Sequence, residues 1–357
     1  MASPTTRSSR TRTTGLVILL AGMLAGLGWQ LFGNDPAPRP RATPAIVKPA
    51  PDKALPTAAS QAAKTPAASR EAVVEVAPAT EEAPFLGELR ESYGHRAGLH
   101  KAKDDLRLSA SAALVIDQDT GKVLFRKNEQ AVLPIASLTK LMTALIVTEA
   151  RLPLDETITI TEEDVDAERH SRSRLRVGTA LSRGEALHVA LMSSENRAAH
   201  ALGRTSPSGS AAFVKAMNRK AAALGMKSTT FVDPTGLSNR NQSTAQDLSI
   251  LAAAAARNPQ LAEFSTTPQH QLALDGRRIL QYNNSNRLVK SPKWDISLQK
   301  TGYIIEAGWC VLMHTRVAGQ NLQVVLLDAA GKGSRTADAE RIKRWIGAQA
   351  QGRAFKS

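Results

Sequence analysis

Two short apolar runs, 110–116 and 122–126, flank the string Asp117-Gln118-Asp119-Thr120-Gly121, whose Asp and Gly carry hairpin turn chemistry, so the folded part is predicted to open with a β-hairpin. From 137 to 149 the chain is apolar on nearly all sides and holds neither Gly nor Pro. That pattern predicts a buried helix entered after Pro134. Segments 184–192, 210–224 and 244–256 predict further helices, the last begun by a Ser243-Thr244 cap with Asp247 at its third helical position. Apolar runs at 296–300, 308–317 and 323–328 predict strands, and 335–349 predicts a closing amphipathic helix. Strands at both ends around a helical middle specify an α/β (α+β) fold, with one antiparallel sheet formed by both chain ends and helices packed on it.

The first hundred residues read differently. Arg7, Arg10 and Arg12 precede an apolar run from Gly15 to Trp29, the pattern of an export signal. Its length lies between the roughly 7 to 15 residues of a cleaved h-region and the roughly 17 to 25 needed to span a bilayer, so residues 1–33 are expected to be a signal peptide or a signal anchor. In both cases the arginines stay on the cytoplasmic side and the rest lies beyond the inner membrane, in the periplasm. Between Pro36 and Pro84 stand ten of the 18 prolines, among Ala, Thr, Ser and Lys and without aromatics. Such sequence buries too little surface to order itself, so 34–105 is expected to be a linker and 106–350 the folded domain.

Charge and cysteine content narrow the partners. Of a formal +14, +11 falls after residue 100, where 35 Lys and Arg stand against 24 Asp and Glu. That field favours carboxylate- or phosphate-rich partners without choosing among them. A single cysteine, Cys310, excludes an internal disulfide, and Trp309-Cys310-Val311-Leu312 reads as an ordinary buried strand. The seven histidines show no H-x-H or H-E-x-x-H spacing and no G-x-S-x-G occurs, so neither a metal centre nor a Ser-His-Asp triad is predicted, and no cofactor. Arg169, Arg172, Arg174 and Arg176 form a basic run read as a solvated loop, with contact to wall carboxylates as the alternative. It lacks interleaved aromatics, which disfavours nucleic acid.

Three motifs carry chemistry. Ser137-Leu138-Thr139-Lys140 has the form S-x-x-K, which on a helix brings hydroxyl and amine to one face. A neutral lysine can take the serine proton, although lowering its pKa from about 10.4 to about 7.5 costs roughly 4 kcal/mol. Burial, a helix N-terminus and a second cation all push that way. The motif is weak alone, because Ser297 to Lys300 repeats it. Ser194-Glu195-Asn196 is the only S-x-N, on a turn after a helix. There a hydroxyl can relay a proton and an amide can hold both a carbonyl and the lysine, although both residue types also serve as turn formers. Lys300-Thr301-Gly302 is the only K-[ST]-G, placed at a strand. Lys300 offers a second positive charge beside Lys140, Thr301 a hydroxyl for a carboxylate, and Gly302 a bare backbone along which a peptide can lie. The N–H groups of Ser137 and Tyr303 are the natural oxyanion donors.

The order of the motifs, 57 and 106 residues apart behind an export signal, makes the joint signal strong. With the longer strings 134–144, 191–199, Asp233-Pro234-Thr235-Gly236-Leu237 and Lys300-Thr301-Gly302-Tyr303, the chain resembles the serine penicillin-binding peptidases of the D-alanyl-D-alanine carboxypeptidase and endopeptidase family, in particular its endopeptidase branch. The resemblance runs from about Leu106 to Ile346 and implies a β-lactamase/transpeptidase-like fold. It also implies acylation of Ser137, Lys140 as base, Ser194 and Asn196 as proton shuttle and substrate holder, and Lys300 and Thr301 as binders of the substrate carboxylate. The implied substrates are peptidoglycan stem peptides, cut at the D-Ala to meso-diaminopimelate cross-link, with β-lactams as covalent inhibitors.

A carboxypeptidase that removes terminal D-Ala would use the same acyl-enzyme. A class A β-lactamase would need an E-x-x-L-N loop before the K-[ST]-G strand, and none is present. Asp233, the only comparable acid, suits a turn better. A catalytically silent wall-binding scaffold is disfavoured by the intact Ser137, Lys140 and Lys300. His200, near the S-x-N turn, reads as a packed or exposed helix residue.

Overall fold

The computed structural model describes Val74–Glu75, 91–274 and 278–352, so the expected signal segment and most of the expected linker lie outside the described residues. Seven strands matter here: β1 (Ala112–Asp117), β2 (Val123–Lys127), β3 (Gln269–Leu274), β4 (Arg278–Asn283), β5 (Asp295–Ile304), β6 (Gly308–Val317) and β7 (Gln320–Ala329). The helices are α1 (Lys140–Glu149), α2 (Arg183–Met192), α3 (Asn196–Arg204), α4 (Gly209–Leu224), α5 (Ala245–Ala256), α6 (Pro259–Thr266) and α7 (Lys332–Ala350).

The main sheet is antiparallel throughout, in the order β5-β6-β7-β1-β2, so its strands come from both ends of the folded part as the apolar pattern predicts. Both of its faces are covered, which is why these strands read as continuous apolar runs and not as alternating ones. Along β7, Val325 and Leu327 join the core shared with α1 and α5, while Val324 and Leu326 face the opposite way, with Ala339, Ile342 and Ile346 of α7. The α5 cap forms as expected, with Thr244 Oγ1 accepting from Asp247 N at 3.0 Å. Among the described residues no helix is long and apolar enough to cross a membrane.

Order begins earlier than position 106, where the sequence pattern places it. Tyr93–Arg96 is helical and Leu99–Lys101 a 3-10 turn. Tyr93 and Leu99 pack against the core, and His95 Nδ1 lies 3.3 Å from the buried carboxylate of Asp328 on β7. These few anchors, and no local apolar periodicity, hold the segment in place. Among the further elements that the pattern does not predict are α3, α6 and the β3–β4 hairpin.

Candidate active site

Ser137 lies on a 3-10 turn, Ala136–Thr139, that runs into α1 at Lys140, in place of the uninterrupted α-helix expected from residue 137. Three residues per turn eclipse positions 137 and 140, and Lys140 Nζ stands 2.9 Å from Ser137 Oγ. Asn196 Oδ1 and the Thr235 carbonyl each lie 2.7 Å from the same nitrogen. Lys140 is 1% exposed. Burial pulls its pKa down to about 7, against the charges of Asp233 and Glu195, which push it up. A neutral amine has two hydrogens and one lone pair. The amide and carbonyl oxygens can only accept, so they take the hydrogens and the lone pair is left to the serine hydroxyl. Such a pair can deprotonate Ser137 as it attacks.

The turn is held under strain. Ala136 has φ of 47°, a left-handed value costing a residue with a Cβ about 1–3 kcal/mol. What holds it is the loop after Phe231. Asp233 Oδ1 accepts from Thr235 N at 2.6 Å and Gly236 N at 2.7 Å, and its Oδ2 from Asn241 Nδ2 at 2.8 Å, an Asx-type turn in which the acid serves the backbone. The Pro234 carbonyl accepts from Thr143 Oγ1 at 2.6 Å, pinning the loop to α1. Gly236, at φ +82°, lies so close that a Cβ on it would meet the Ala136 carbonyl oxygen at 1.9 Å.

Asn196 is brought to the pair at the start of α3, whereas Ser194, at φ 66°, makes no hydrogen bond to Ser137 or Lys140 among the described residues. The Asn196 amide is oriented from behind, its Nδ2 donating to Ser171 Oγ at 3.0 Å. Ser171 in turn sits on a loop knitted by Asp166, whose carboxylate accepts from Arg169 N at 3.0 Å and Ser171 N at 2.9 Å. Removing one hydrogen bond of this kind costs about 1 kcal/mol. Ser171→Ala is therefore expected to slow acylation about fivefold with KM little changed, as stopped-flow with a chromogenic β-lactam would record; an unchanged rate would deny Ser171 its orienting part.

Lys300, Thr301, Gly302 and Tyr303 stand within β5, an edge strand that extends four residues past the predicted end. The missing side chain at Gly302 also lets β5 lie against the serine turn, since a Cβ there would be 2.9 Å from the Ile135 carbonyl oxygen and 3.2 Å from Ser137 N. Thr301 Oγ1 donates to Ser285 Oγ at 2.7 Å. Tyr303 is 44% exposed and its ring stacks on Trp309 at 4.1 Å. Lys300 corrects one expectation. It is fully buried, its Nζ donates to the Thr301 carbonyl at 2.9 Å, and burial, then Lys140, then Arg335 hold it well below the ordinary ammonium range. Burial, not a fixed second charge, is what lowers Lys140.

Comparison with known proteins places this geometry. The D-alanyl-D-alanine carboxypeptidase family, peptidase S11, matches residues 99–331. The chain belongs to this family. Within it, the chain is 48% identical over 240 residues to a D-alanyl-D-alanine endopeptidase of Pseudomonas aeruginosa and 42% identical over 240 residues to one of Escherichia coli, covering 67% of this chain and 77% of each relative. Among solved structures, a Streptomyces K15 DD-transpeptidase superposes with a TM-score of 0.62 at 26% identity, over 67% of this chain and 97% of that one. Penicillin-binding protein D2 of Listeria monocytogenes in its cefotaxime-bound form gives 0.60 at 30% identity, over 68% and 98%. The expected fold and the serine-peptidase class thus stand.

Around the family's motif residues the structure adds others that the sequence reading passed over: Ser171, Thr235 and Ser285 by their hydrogen bonds, and Glu195, 6% exposed, by its charge near Lys140. The basic run is the solvated loop expected only in part: Arg172 and Arg176 are exposed, whereas Arg169 and Arg174 are half-buried. Arg169 forms a two-point pair with Glu306 at 3.0 Å and donates to the Leu237 carbonyl, bridging three loops, and the Arg174 guanidinium lies over the Tyr282 ring at 5.2 Å. His200 is a packed residue as expected, its Nδ1 2.7 Å from Asp164 Oδ1. Cys310 is buried, and burial raises its thiol to about 12, so it is unreactive.

Proposed function

We propose that this chain is a serine DD-endopeptidase of the bacterial cell wall, which opens D-Ala to meso-diaminopimelate cross-links through an acyl-enzyme on Ser137. The observation that carries this reading is the buried Lys140 amine, 2.9 Å from Ser137 Oγ, with its two other partners both acceptors. Ser137 Oγ attacks the D-Ala carbonyl while its proton passes to Lys140 Nζ. Collapse of the tetrahedral intermediate breaks the amide bond, and the departing amine receives a proton relayed by the Ser194 hydroxyl, with Asn196 holding the substrate. Water then attacks the ester, Lys140 takes its proton, and Ser137 is restored with the carboxylate product.

The stem peptide adds as a strand beside edge strand β5, which fixes the reacting carbonyl by main-chain bonds. The N–H groups of Ser137 and Tyr303 face the developing oxyanion, and Gly302 keeps the approach clear. Thr301, whose hydroxyl hydrogen turns from Ser285 to the arriving carboxylate, and Lys300 receive the carboxylate end, and the arriving negative charge favours protonation of the depressed Lys300 amine. β-Lactams acylate the same serine. The endopeptidase preference is supported by the higher identity to relatives of that name than to the carboxypeptidases of Bacillus subtilis, at 30%, and Mycobacterium tuberculosis, at 31%. The export pattern at residues 7–29 supports a periplasmic location, with a membrane tether if the segment is retained.

Cross-linked muropeptide dimers incubated with the protein, beside its Ser137→Ala form, test this by mass. Release of monomers by the parent alone is the expected result. Loss of only a terminal D-Ala would make it a carboxypeptidase instead.

Because the base is the neutral form of Lys140, acylation should fall about tenfold per pH unit below about pH 7 and level off above it, until other groups titrate. Rates of β-lactam acylation between pH 5 and pH 8.5 would show this; a flat profile down to pH 5 would remove Lys140 from the role.

A further inference from the structure

Glu185 and His188 stand three residues apart on α2, hence on one face of the helix. His270, on β3, faces them from 82 residues further along, a separation no local spacing rule detects. Among the described residues these three offer one ligand atom each within 4.8 Å of one another, and all three are partly exposed, so an ion can enter. His270 Nε2 already lies 2.7 Å from Glu185 Oε2, and the two imidazole rings are 4.2 Å apart between centres.

The surroundings fix His188. Its ring stacks on Phe264 at 4.5 Å. The Thr267 hydroxyl donates to the Glu263 carbonyl at 3.0 Å, so it accepts from His188 Nε2 at 2.8 Å. His188 Nε2 is therefore protonated and its other nitrogen keeps a lone pair, the tautomer that an outer hydrogen bond imposes on a metal-binding histidine. A tetrahedral zinc ion with nitrogen and oxygen ligands at about 2.0–2.1 Å holds them about 3.3 Å apart. The atoms here lie between 2.7 and 4.8 Å apart, so side-chain rotation suffices to close them on an ion.

We propose that Glu185, His188 and His270 bind a divalent transition-metal ion of the zinc type, with a water in the fourth position. Two imidazoles and one carboxylate select such an ion over magnesium or calcium, which prefer all-oxygen shells. The ion replaces the hydrogen bond between Glu185 and His270, and the proton of that bond leaves to solvent. Its role is that of a clip. It ties the first turns of α2 to β3, while the far end of α2 is tied to the segment after β4 by Ser285 N donating to the Met192 carbonyl at 2.8 Å. The helix so fastened runs straight into Ser193-Ser194-Glu195-Asn196.

The test uses the full chain stripped of metal, titrated with zinc chloride by calorimetry and, separately, with cobalt(II) followed by visible absorption. The expected result is one zinc per chain, a raised Tm in the presence of zinc, and a cobalt spectrum of tetrahedral intensity. Glu185→Gln and His270→Gln should each weaken zinc binding by at least about tenfold, with β-lactam acylation of Ser137 preserved as proof of folding. No saturable binding by the parent, or binding that either substitution leaves unchanged, overturns the site. Neither outcome bears on the hydrolytic reading, since acylation is measured apart from metal.

Discussion

Lys140→Met should abolish nearly all acylation while leaving the fold in place. A positioned base contributes about 10²–10⁴ in rate, so a loss near 10³, or about 4 kcal/mol of transition-state stabilisation, is expected in kcat/KM for a chromogenic β-lactam. Stability should move little because two effects oppose each other. Holding a lysine at about 7 where a free one titrates at 10.5 costs the fold on the order of 5 kcal/mol. The folded-state value is the lower one, so that cost is complete below about pH 7 and fades as pH rises toward 10.5; methionine escapes it. Against this, Asn196 Oδ1 and the Thr235 carbonyl lose their donor, at about 1–3 kcal/mol each. A Tm near that of the parent beside an acylation rate near zero fits the account. A variant that acylates at a tenth of the parent rate or faster would show that some other group takes the serine proton.

Gly236→Ala should do comparable damage without touching a reacting group. The residue sits at φ +82° with its α-carbon turned toward the Ala136 carbonyl, so an added methyl meets that oxygen at 1.9 Å. Neither partner is a flexible side-chain tip. Either the 233–241 loop withdraws, which pulls the Thr235 carbonyl off Lys140, or the strained turn at Ala136 relaxes and carries Ser137 away. We expect a loss of about 3 kcal/mol or more in denaturant unfolding and an acylation rate lower by at least about tenfold. A variant matching the parent in both would mean that the loop does not hold the serine turn.

The three motifs were legible in sequence because the chemistry proposed for them demands fixed local spacings. S-x-x-K needs only one turn, and K-T-G needs only a strand, which the apolar run after Asp295 announces. The sheet was legible for a different reason: burial on both faces makes the central stretches of β1, β6 and β7, at 112–116, 309–313 and 324–327, continuously apolar. What escaped notice depends on contacts remote in sequence or on weakly apolar residues. Ser171 meets Asn196 across 25 residues, and nothing local distinguishes it from any other loop serine. Helix α3 buries chiefly alanines, Ala198, Ala199 and Ala201, whose small side chains leave a faint periodic signal. In β3 the polar Gln269, His270 and Gln271 dilute the strand pattern. Arg169 looked like a solvated charge because its partner, Glu306, is 137 residues away. The burial of Lys300 escaped notice for the same reason, since a sequence shows the amine but not how completely it is enclosed.

The central claim is that Ser137 becomes a nucleophile because Lys140 is kept neutral beside it. Mass analysis of tryptic peptides after brief exposure to a penicillin at pH 8 tests it most directly. A stoichiometric acyl adduct is expected on the 128–140 peptide, localised to Ser137, absent from Ser137→Ala and strongly reduced in Lys140→Met, where the peptide to follow is 128–151 because cleavage at 140 is lost. An adduct on another residue, or none on the parent, would contradict it.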